Sequence, residues 1–302
     1  MNKIDNNRCI WLDIAKGITI ILMVLGHTSI PVFVSNFIWS FHMPLFFIAS
    51  GWTTNWEKYD LDEFCIRKCR SLILQFLIYS IIVVILMGGN FVHWLSQGWE
   101  GYALWFIPVL FLALIISRIV WMTKSNRVRH LLMVMLLVMG TYLSYCQIYL
   151  PWTICSVPYA TFLVLSGTEL KRVTSYIDQP RSCILFGCII LSSYISYYWH
   201  LDMASNTITP VIPLTIGAVS GTLMMFTISS FIAKYSKWCS NLLQAIGRET
   251  YIIVAFSQIT IILLNQHFTL NTVVKYSMLM IVLLTLKYMK DGINKLAKTN
   301  IL

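Results

Sequence analysis

The amino-acid sequence predicts an all-α, polytopic integral membrane protein of about ten transmembrane helices with both termini cytoplasmic. Three observations predict it. Of 302 residues, 58% are hydrophobic and only 11% are charged, against roughly 25% charged in an ordinary soluble domain. With a mean hydropathy of +0.72, too few polar side chains exist to cover a water-facing surface. Apolar runs long enough to cross a hydrocarbon layer of about 30 Å recur along the whole chain, and the basic residues fall between alternate pairs of those runs. A soluble enzyme, a disordered tail and a secreted disulfide scaffold are all poor fits to these numbers.

The runs lie at about 12–33, 36–55, 71–89, 102–121, 130–149, 152–169, 182–199, 209–232, 250–267 and 271–289. None alternates in polarity. In lipid the backbone must satisfy its own hydrogen bonds, so runs of this length are helices and not barrel strands. The sixth is short and carries Pro158; the eighth contains Pro210 and Pro213. Lys3 and Arg8 precede the first run, Lys58, Arg67, Lys68 and Arg70 follow the second, and Arg118, Lys124, Arg127 and Arg129 follow the fourth. Lys171, Arg172 and Arg181 follow the sixth, Lys234, Lys237 and Arg248 the eighth, and Lys287, Lys290, Lys295 and Lys298 close the chain. Twenty of the 22 basic residues thus share one side, while the loops 89–101 and 199–208 contain none. That asymmetry marks the shared side as cytoplasmic. The first run lacks a small-residue cleavage site and exceeds a typical signal-peptide core, so it is expected to stay as a span.

A net charge of +10 invites a nucleic-acid partner, but placed along the chain it is an orientation signal, and no nucleic acid is expected. The eight cysteines show no zinc-like spacing with histidines and read as free thiols, mostly small buried hydrophobes.

Ionisable groups inside a span are costly and mark candidate sites. The first span holds Asp13, Lys16 and His27. Asp13 and Lys16 are an i, i+3 pair and can neutralise one another near the cytoplasmic boundary; the bland reading is an interfacial ion pair with a snorkelling lysine. Lys16 and His27 are eleven residues apart, about three turns, which puts them on one face roughly 16 Å apart. His42 lies about six residues into the second span, which descends from the outside, so His27 and His42 are expected at similar depth on neighbouring helices. Such a pair suits proton transfer; a histidine that merely packs helices is the bland alternative. A metal is a rival reading, with His93 and Glu100 completing a shell, but nothing in their spacing requires it, and no metal is expected.

Around His42 the chain reads Phe41-His42-Met43-Pro44-Leu45-Phe46-Phe47, then Ser50-Gly51. Pro44 removes an intrahelical bond and is expected to kink the span beside the histidine, freeing a carbonyl that is tolerable only in packed protein or against a cavity. Trp105-Phe106-Ile107-Pro108 repeats the aromatic-plus-proline pattern, with an interfacial aromatic belt as its alternative. Gln258 and Asn265 are expected to make interhelical hydrogen bonds. His130, His200 and His267 sit at span ends, where a solvated ring needs no further account.

These residues resemble a known family. Trp11-Leu12-Asp13-Ile14-Ala15-Lys16-Gly17 running on to Gly26-His27 is similar to the opening of the acyltransferase 3 membrane family, and the run from Phe41 to Phe47 with Ser50-Gly51 resembles its second-span signature. Trp105-Phe106, Phe162 with Gly167, and Ile246-Gly247-Arg248 fit its looser later landmarks. The resemblance implies a single acyltransferase 3-like transmembrane domain over 1–302 with no separate soluble domain. It implies a multi-pass protein of the bacterial cytoplasmic membrane that moves acetyl from acetyl-CoA (or an acyl group from another acyl-CoA), a co-substrate and not a bound cofactor, to a hydroxyl of a surface or lipid-linked carbohydrate. The family's basic residue, ten intervening positions and histidine map onto Lys16 and His27. One position departs: where the family often has a late histidine, this chain has Ser257 followed by Gln258.

On this reading Arg8 and Lys16 are the leading contacts for the acyl-CoA phosphates, with Arg67, Lys68 and Arg70 secondary, and the pantetheine arm follows the first span toward His27. An imidazole with an unperturbed pKa of about 6.5 suits proton abstraction near neutrality, so His27 is the expected general base. His42 orients it or donates to the thioester oxyanion, with Asp13, Pro44, Ser50, Gly51 and Trp105 in support. Direct transfer and an acyl-histidine both remain open. The competing classes are a secondary transporter or flippase of a lipid-linked sugar and an inert sensor of the same fold. The acceptor itself is not legible.

Overall fold

The computed structural model describes residues 9–28, 30–97, 103–173, 182–267, 274 and 277–288. Arg8 and Glu100 lie outside them. Among the described residues every regular element is a helix, apart from one isolated bridge between Asp202 and Thr207. In order they are α1 (Ile10–Gly26), α2 (Val32–Thr53), α3 (Leu61–Lys68), α4 (Leu74–Leu86), α5 (Phe91–Gln97), α6 (Phe106–Trp121), α7 (Asn126–Tyr145), α8 (Val157–Val173), α9 (Ser182–Tyr198), α10 (Val211–Tyr235), α11 (Lys237–Arg248), α12 (Thr250–His267) and α13 (Ser277–Tyr288). A π-helical turn, Cys69–Ile73, joins α3 to α4, and short 3₁₀ turns at Ala103–Trp105 and Pro151–Ser156 lead into α6 and α8.

Each of the ten apolar runs contains a helix, but their lengths differ. Five described stretches are long and apolar enough to cross a membrane: α2, the α3–α4 rod, α6 with its 3₁₀ turn, α7 and α10. The pair α11–α12, bent by 76°, makes a sixth if it is one span. The helices α1, α8 and α9 have 17 residues each, about 26 Å, slightly short of the hydrocarbon thickness.

The outward surface is that of a protein in lipid. On α4, Leu74, Leu77, Ile78, Ile81, Ile82 and Ile85 are exposed; on α7, Leu131, Val134, Met135, Val138, Met139 and Tyr142 are. Apolar residues at helical spacing facing away from the protein are unstable in water and natural in a bilayer. The chain is an integral membrane protein.

Helix α2 is the hub, packed against α1, α8, α9 and α10, with an unbroken buried run from Ser40 to Ala49. Its contact with α8 is backbone on backbone. A Cβ at Gly51 would fall on the Val164 carbonyl, and one at Gly167 on the Ile48 carbonyl. Thr168 Oγ1 donates to the Gly51 carbonyl at 3.1 Å, and Trp56 Nε1 donates to Thr168 Oγ1 at 3.0 Å. The pair α1–α11 repeats the device: a Cβ at Gly17 would meet the Leu243 carbonyl and one at Gly247 the Asp13 carbonyl. Small residues that let backbones approach are how helices associate where lipid removes the hydrophobic drive.

Two expectations need correction here. The first span ends at Gly26, not 33, because Pro31 caps α2 and the residues before a proline are pushed out of the helical region. Pro44 lies inside α2, which continues past it as one helix from Val32 to Thr53. Pro108 falls in the first turn of α6, where a missing N–H is harmless, so Trp105–Pro108 is a helix start and not a second kink.

Gly51→Val sets a side chain against backbone, which has no rotamer to yield. It is expected to destabilise the protein by about 1–3 kcal/mol or more. Gly187→Ala on α9, where a Cβ meets nothing within 4 Å, is expected to be neutral or stabilising. Thermal denaturation in detergent checks both.

Candidate active site

The end of α1 and the first half of α2 are drawn together because the loop between them is short. His27 caps the C-terminus of α1, and His42 lies ten residues into α2, about 15 Å along its axis. That is deeper than its expected place, since α2 begins earlier than the apolar pattern indicated. Trp39 stands between the imidazoles, edge-on to His27 at 5.6 Å and to His42 at 5.5 Å between ring centres. The two rings border one cavity of about 320 Å³, closed by Met23, Met43, Ala103, Trp105, Gln258 and the turn 201–205.

His42 is 4% exposed. Its Nδ1 lies 3.1 Å from the Ile38 carbonyl oxygen, so the ring is held by its own helix. Phe46 and Phe47 beyond Pro44 pack on Phe106 of α6 at 5.9 and 4.9 Å, so the aromatic members of the motif tie α2 to α6. Ser50 turns back on the Phe46 carbonyl at 2.7 Å. With Gly51 it belongs to the α8 crossing and does not line the cavity.

The turn between α9 and α10 roofs the cavity. Asp202 Oδ2 accepts from Ser205 Oγ at 2.6 Å and its Oδ1 from the Ala204 N–H at 2.9 Å. Ser156 Oγ donates to the Met203 carbonyl at 2.5 Å, and Asn206 Nδ2 donates to the Ile148 carbonyl at 3.3 Å. His200 packs on Trp39 at 5.4 Å and hydrogen-bonds Asn36 at 2.8 Å. Gln258 Oε1 accepts from the Ala103 N–H at 3.0 Å, so this polar residue both joins helices and borders the cavity. Ser257 is buried at 1% exposure and does not line it.

A second, larger cavity of about 860 Å³ opens at the other end of α2. Its lining runs from Thr53 through the following loop to Ser71 and includes Lys58, Arg67, Lys68 and Arg70, with Glu63 as the one acidic residue among the described ones. Glu63 is paired with Arg67 at 2.7 Å. The π-helical turn carries Arg70 and Ser71; such insertions often mark functional positions in helices.

Of the phosphate-binding candidates, the structure therefore brings together Arg67, Lys68 and Arg70. Lys16 is elsewhere. It pairs with the buried Asp13 at 3.7 Å, and Arg248 of α11 approaches the same carboxylate at 3.7 Å. Asp13 and Arg248 flank the Gly17–Gly247 crossing, so the late Gly-Arg landmark is a packing contact against the opening motif. Among the described residues no group of three or more His, Cys, Asp or Glu is arranged for a metal, and His93 does not border the histidine cavity.

His200, Asp202 and Lys58 adjoin the two cavities, although their sequence context marks none of them as a site residue. The turn 199–208 does hold a histidine and an acid close together, but only its fold onto Trp39 gives them a place.

These features define the class: a polytopic membrane protein with an internal histidine-lined cavity and a separate cationic one. A family model for acyltransferase 3, described as an acyltransferase domain, matches residues 10–289. The chain belongs to that family of membrane acyltransferases. No curated protein and no solved structure matches it.

Asp13→Asn removes a buried carboxylate from between two cations. With Lys16 and Arg248 both partly solvated, the loss is expected to be about 1–3 kcal/mol. A cycle of Asp13→Asn with Lys16→Met, followed by thermal denaturation, is expected to show less than additive losses.

Proposed function

We propose that this protein is an O-acetyltransferase of the bacterial cytoplasmic membrane. It moves acetyl from cytoplasmic acetyl-CoA to a hydroxyl of a cell-surface or lipid-linked carbohydrate. The chain crosses the membrane ten times with both termini inside, as the basic residues require. The cationic cavity faces the cytoplasm and takes the CoA phosphates on Arg67, Lys68 and Arg70, with Lys58 added. His27 and His42 perform the proton transfer in the outer cavity.

One observation carries this reading: the two cavities lie along a single helix at the spacing the donor needs. Thr53 borders the cationic cavity and His42 the other, eleven residues apart on α2, or roughly 16 Å, comparable to an extended pantetheine arm on the order of 15–20 Å. The arm then follows α2 and not α1, and Lys16 serves the α1–α11 contact. Phosphates on several cations bind through charge-assisted hydrogen bonds, and the imidazole pair supplies acid–base catalysis.

Acetyl-CoA is expected to raise the melting temperature of the detergent-solubilised protein; no shift favours a transporter, whose cargo is the sugar. The double variant Arg67→Gln, Arg70→Gln is expected to raise KM for acetyl-CoA about tenfold or more with little change in kcat, and an unchanged KM removes the phosphates from this cavity. Mass spectra of surface glycans from a deletion strain should lack acetyl groups found in the parent. A phosphatase reporter placed in 199–208 is expected to be active and one at residue 302 inactive.

A further inference from the structure

Acyl transfer needs one group to take the proton from the acceptor hydroxyl and another to donate a hydrogen bond to the thioester oxygen. The outer cavity offers two imidazoles for these tasks, and their surroundings differ. His42 Nδ1 is 3.1 Å from the Ile38 carbonyl oxygen, one helical turn back. A carbonyl oxygen has no hydrogen to give, so this bond requires the hydrogen on Nδ1. A neutral imidazole has one N–H. Nε2, across the ring, is therefore left with its lone pair.

The consequence is directional. Neutral His42 accepts a proton at Nε2 and has none to offer an oxyanion, which inverts its sequence-based role. His27 is placed otherwise, at the end of α1, edge-on to Trp39, with Asp202 bordering the same cavity. Nothing in those contacts commits its ring to a helix carbonyl.

We propose, resting on the acetyltransferase reading above, that His42 and not His27 is the general base, and that His27 donates the hydrogen bond to the thioester oxygen. The acceptor O–H proton passes to His42 Nε2 as the oxygen bonds to the acetyl carbon. The tetrahedral oxyanion is held by His27. The carbon–sulfur bond then breaks and the proton on His42 moves to the departing sulfur, giving ester and CoA thiol and restoring the starting tautomer. Ile38 acts only through its carbonyl, by locking that tautomer.

The test uses substitutions that separate the two nitrogens. His42→Asn keeps an amide N–H for the Ile38 carbonyl but has no basic nitrogen, whereas His27→Gln keeps a donor and loses a base. In membranes of the producing strain, which carry their own acceptors, transfer of labelled acetyl from acetyl-CoA is expected to fall about 10²–10⁴-fold in His42→Asn. In His27→Gln it is expected to fall about tenfold or less. Near-full activity in His42→Asn, or a collapse in His27→Gln that equals it, overturns the assignment. Nitrogen NMR of histidine-labelled protein provides a readout independent of turnover. The signal lost in His42→Asn is expected to show a protonated Nδ1 and a bare Nε2, with the other histidine signals unmoved; a protonated Nε2 overturns the proposal. Wild-type membranes that transfer no more label than those of a deletion strain overturn the acetyltransferase reading itself, and this proposal with it.

Discussion

The backbone contact between α2 and α8 is the constraint on which the rest of the structure depends. Gly51 and Gly167 each face a carbonyl of the other helix, so no side chain sets the spacing between the two. Apolar side chains gain little by leaving lipid for protein, and close packing with a few hydrogen bonds must hold the bundle instead. Thr168 supplies such a bond to the Gly51 carbonyl. With α2 fixed on that side, its remaining faces are assigned: Phe41 against Gly221 of α10, where a Cβ would lie 2.5 Å from the ring-bearing carbon, and Phe47 against Phe106 of α6 at 4.9 Å. His42 has the cavity as its remaining direction.

The opening motif is organised by a second contact of the same kind. Asp13 is 3% exposed, and a carboxylate in that position is tolerable only with partners. Lys16 and Arg248 supply them while Gly17 and Gly247 bring α1 and α11 together. A basic residue eleven positions before a histidine looked from sequence like one end of a substrate channel. In the fold it neutralises a buried acid where two helices cross, and the cationic cavity is built instead from Lys58, Arg67, Lys68 and Arg70 between α2 and α4.

The helices were legible because length and hydropathy alone separate a span from a loop, and the histidine pair because polar groups are conspicuous in lipid. Boundaries were not. Residues 28–34 are nearly as apolar as the spans they join, and only Pro31 marks the break, so the first run appeared longer than α1 and His42 shallower than it is. Helix α11 was missed for the opposite reason: Lys237, Ser240, Asn241, Gln244 and Arg248 interrupt any apolar run, although together they form the polar side of an amphipathic helix. The histidine tautomer was beyond reach. It depends on which carbonyl a ring meets one turn back, a matter of rotamer and not of spacing. His200 was dismissed as a solvated span end because its contact with Trp39 exists only after α9 and α10 fold their connection over the cavity.

The two cavities also differ in charge, and that difference gives the proposed reaction a direction. Among the described residues the histidine cavity is bordered by Asp202 and by no lysine or arginine, so these residues offer a polyanionic nucleotide no cation and a carboxylate that repels it. The cavity at the far end of α2 has four cations and one acid already engaged by one of them. On the proposed reading the phosphates would be retained at one end, and only the uncharged arm and its acetyl group would be admitted toward the imidazoles. After the carbon–sulfur bond of the proposed reaction breaks, the thiol product would be drawn back by the same charges that brought the donor in. On the same reading the acceptor would meet the histidines from the other side, without passing the cations. On this arrangement the separation of charge along one buried helix keeps donor and acceptor paths apart.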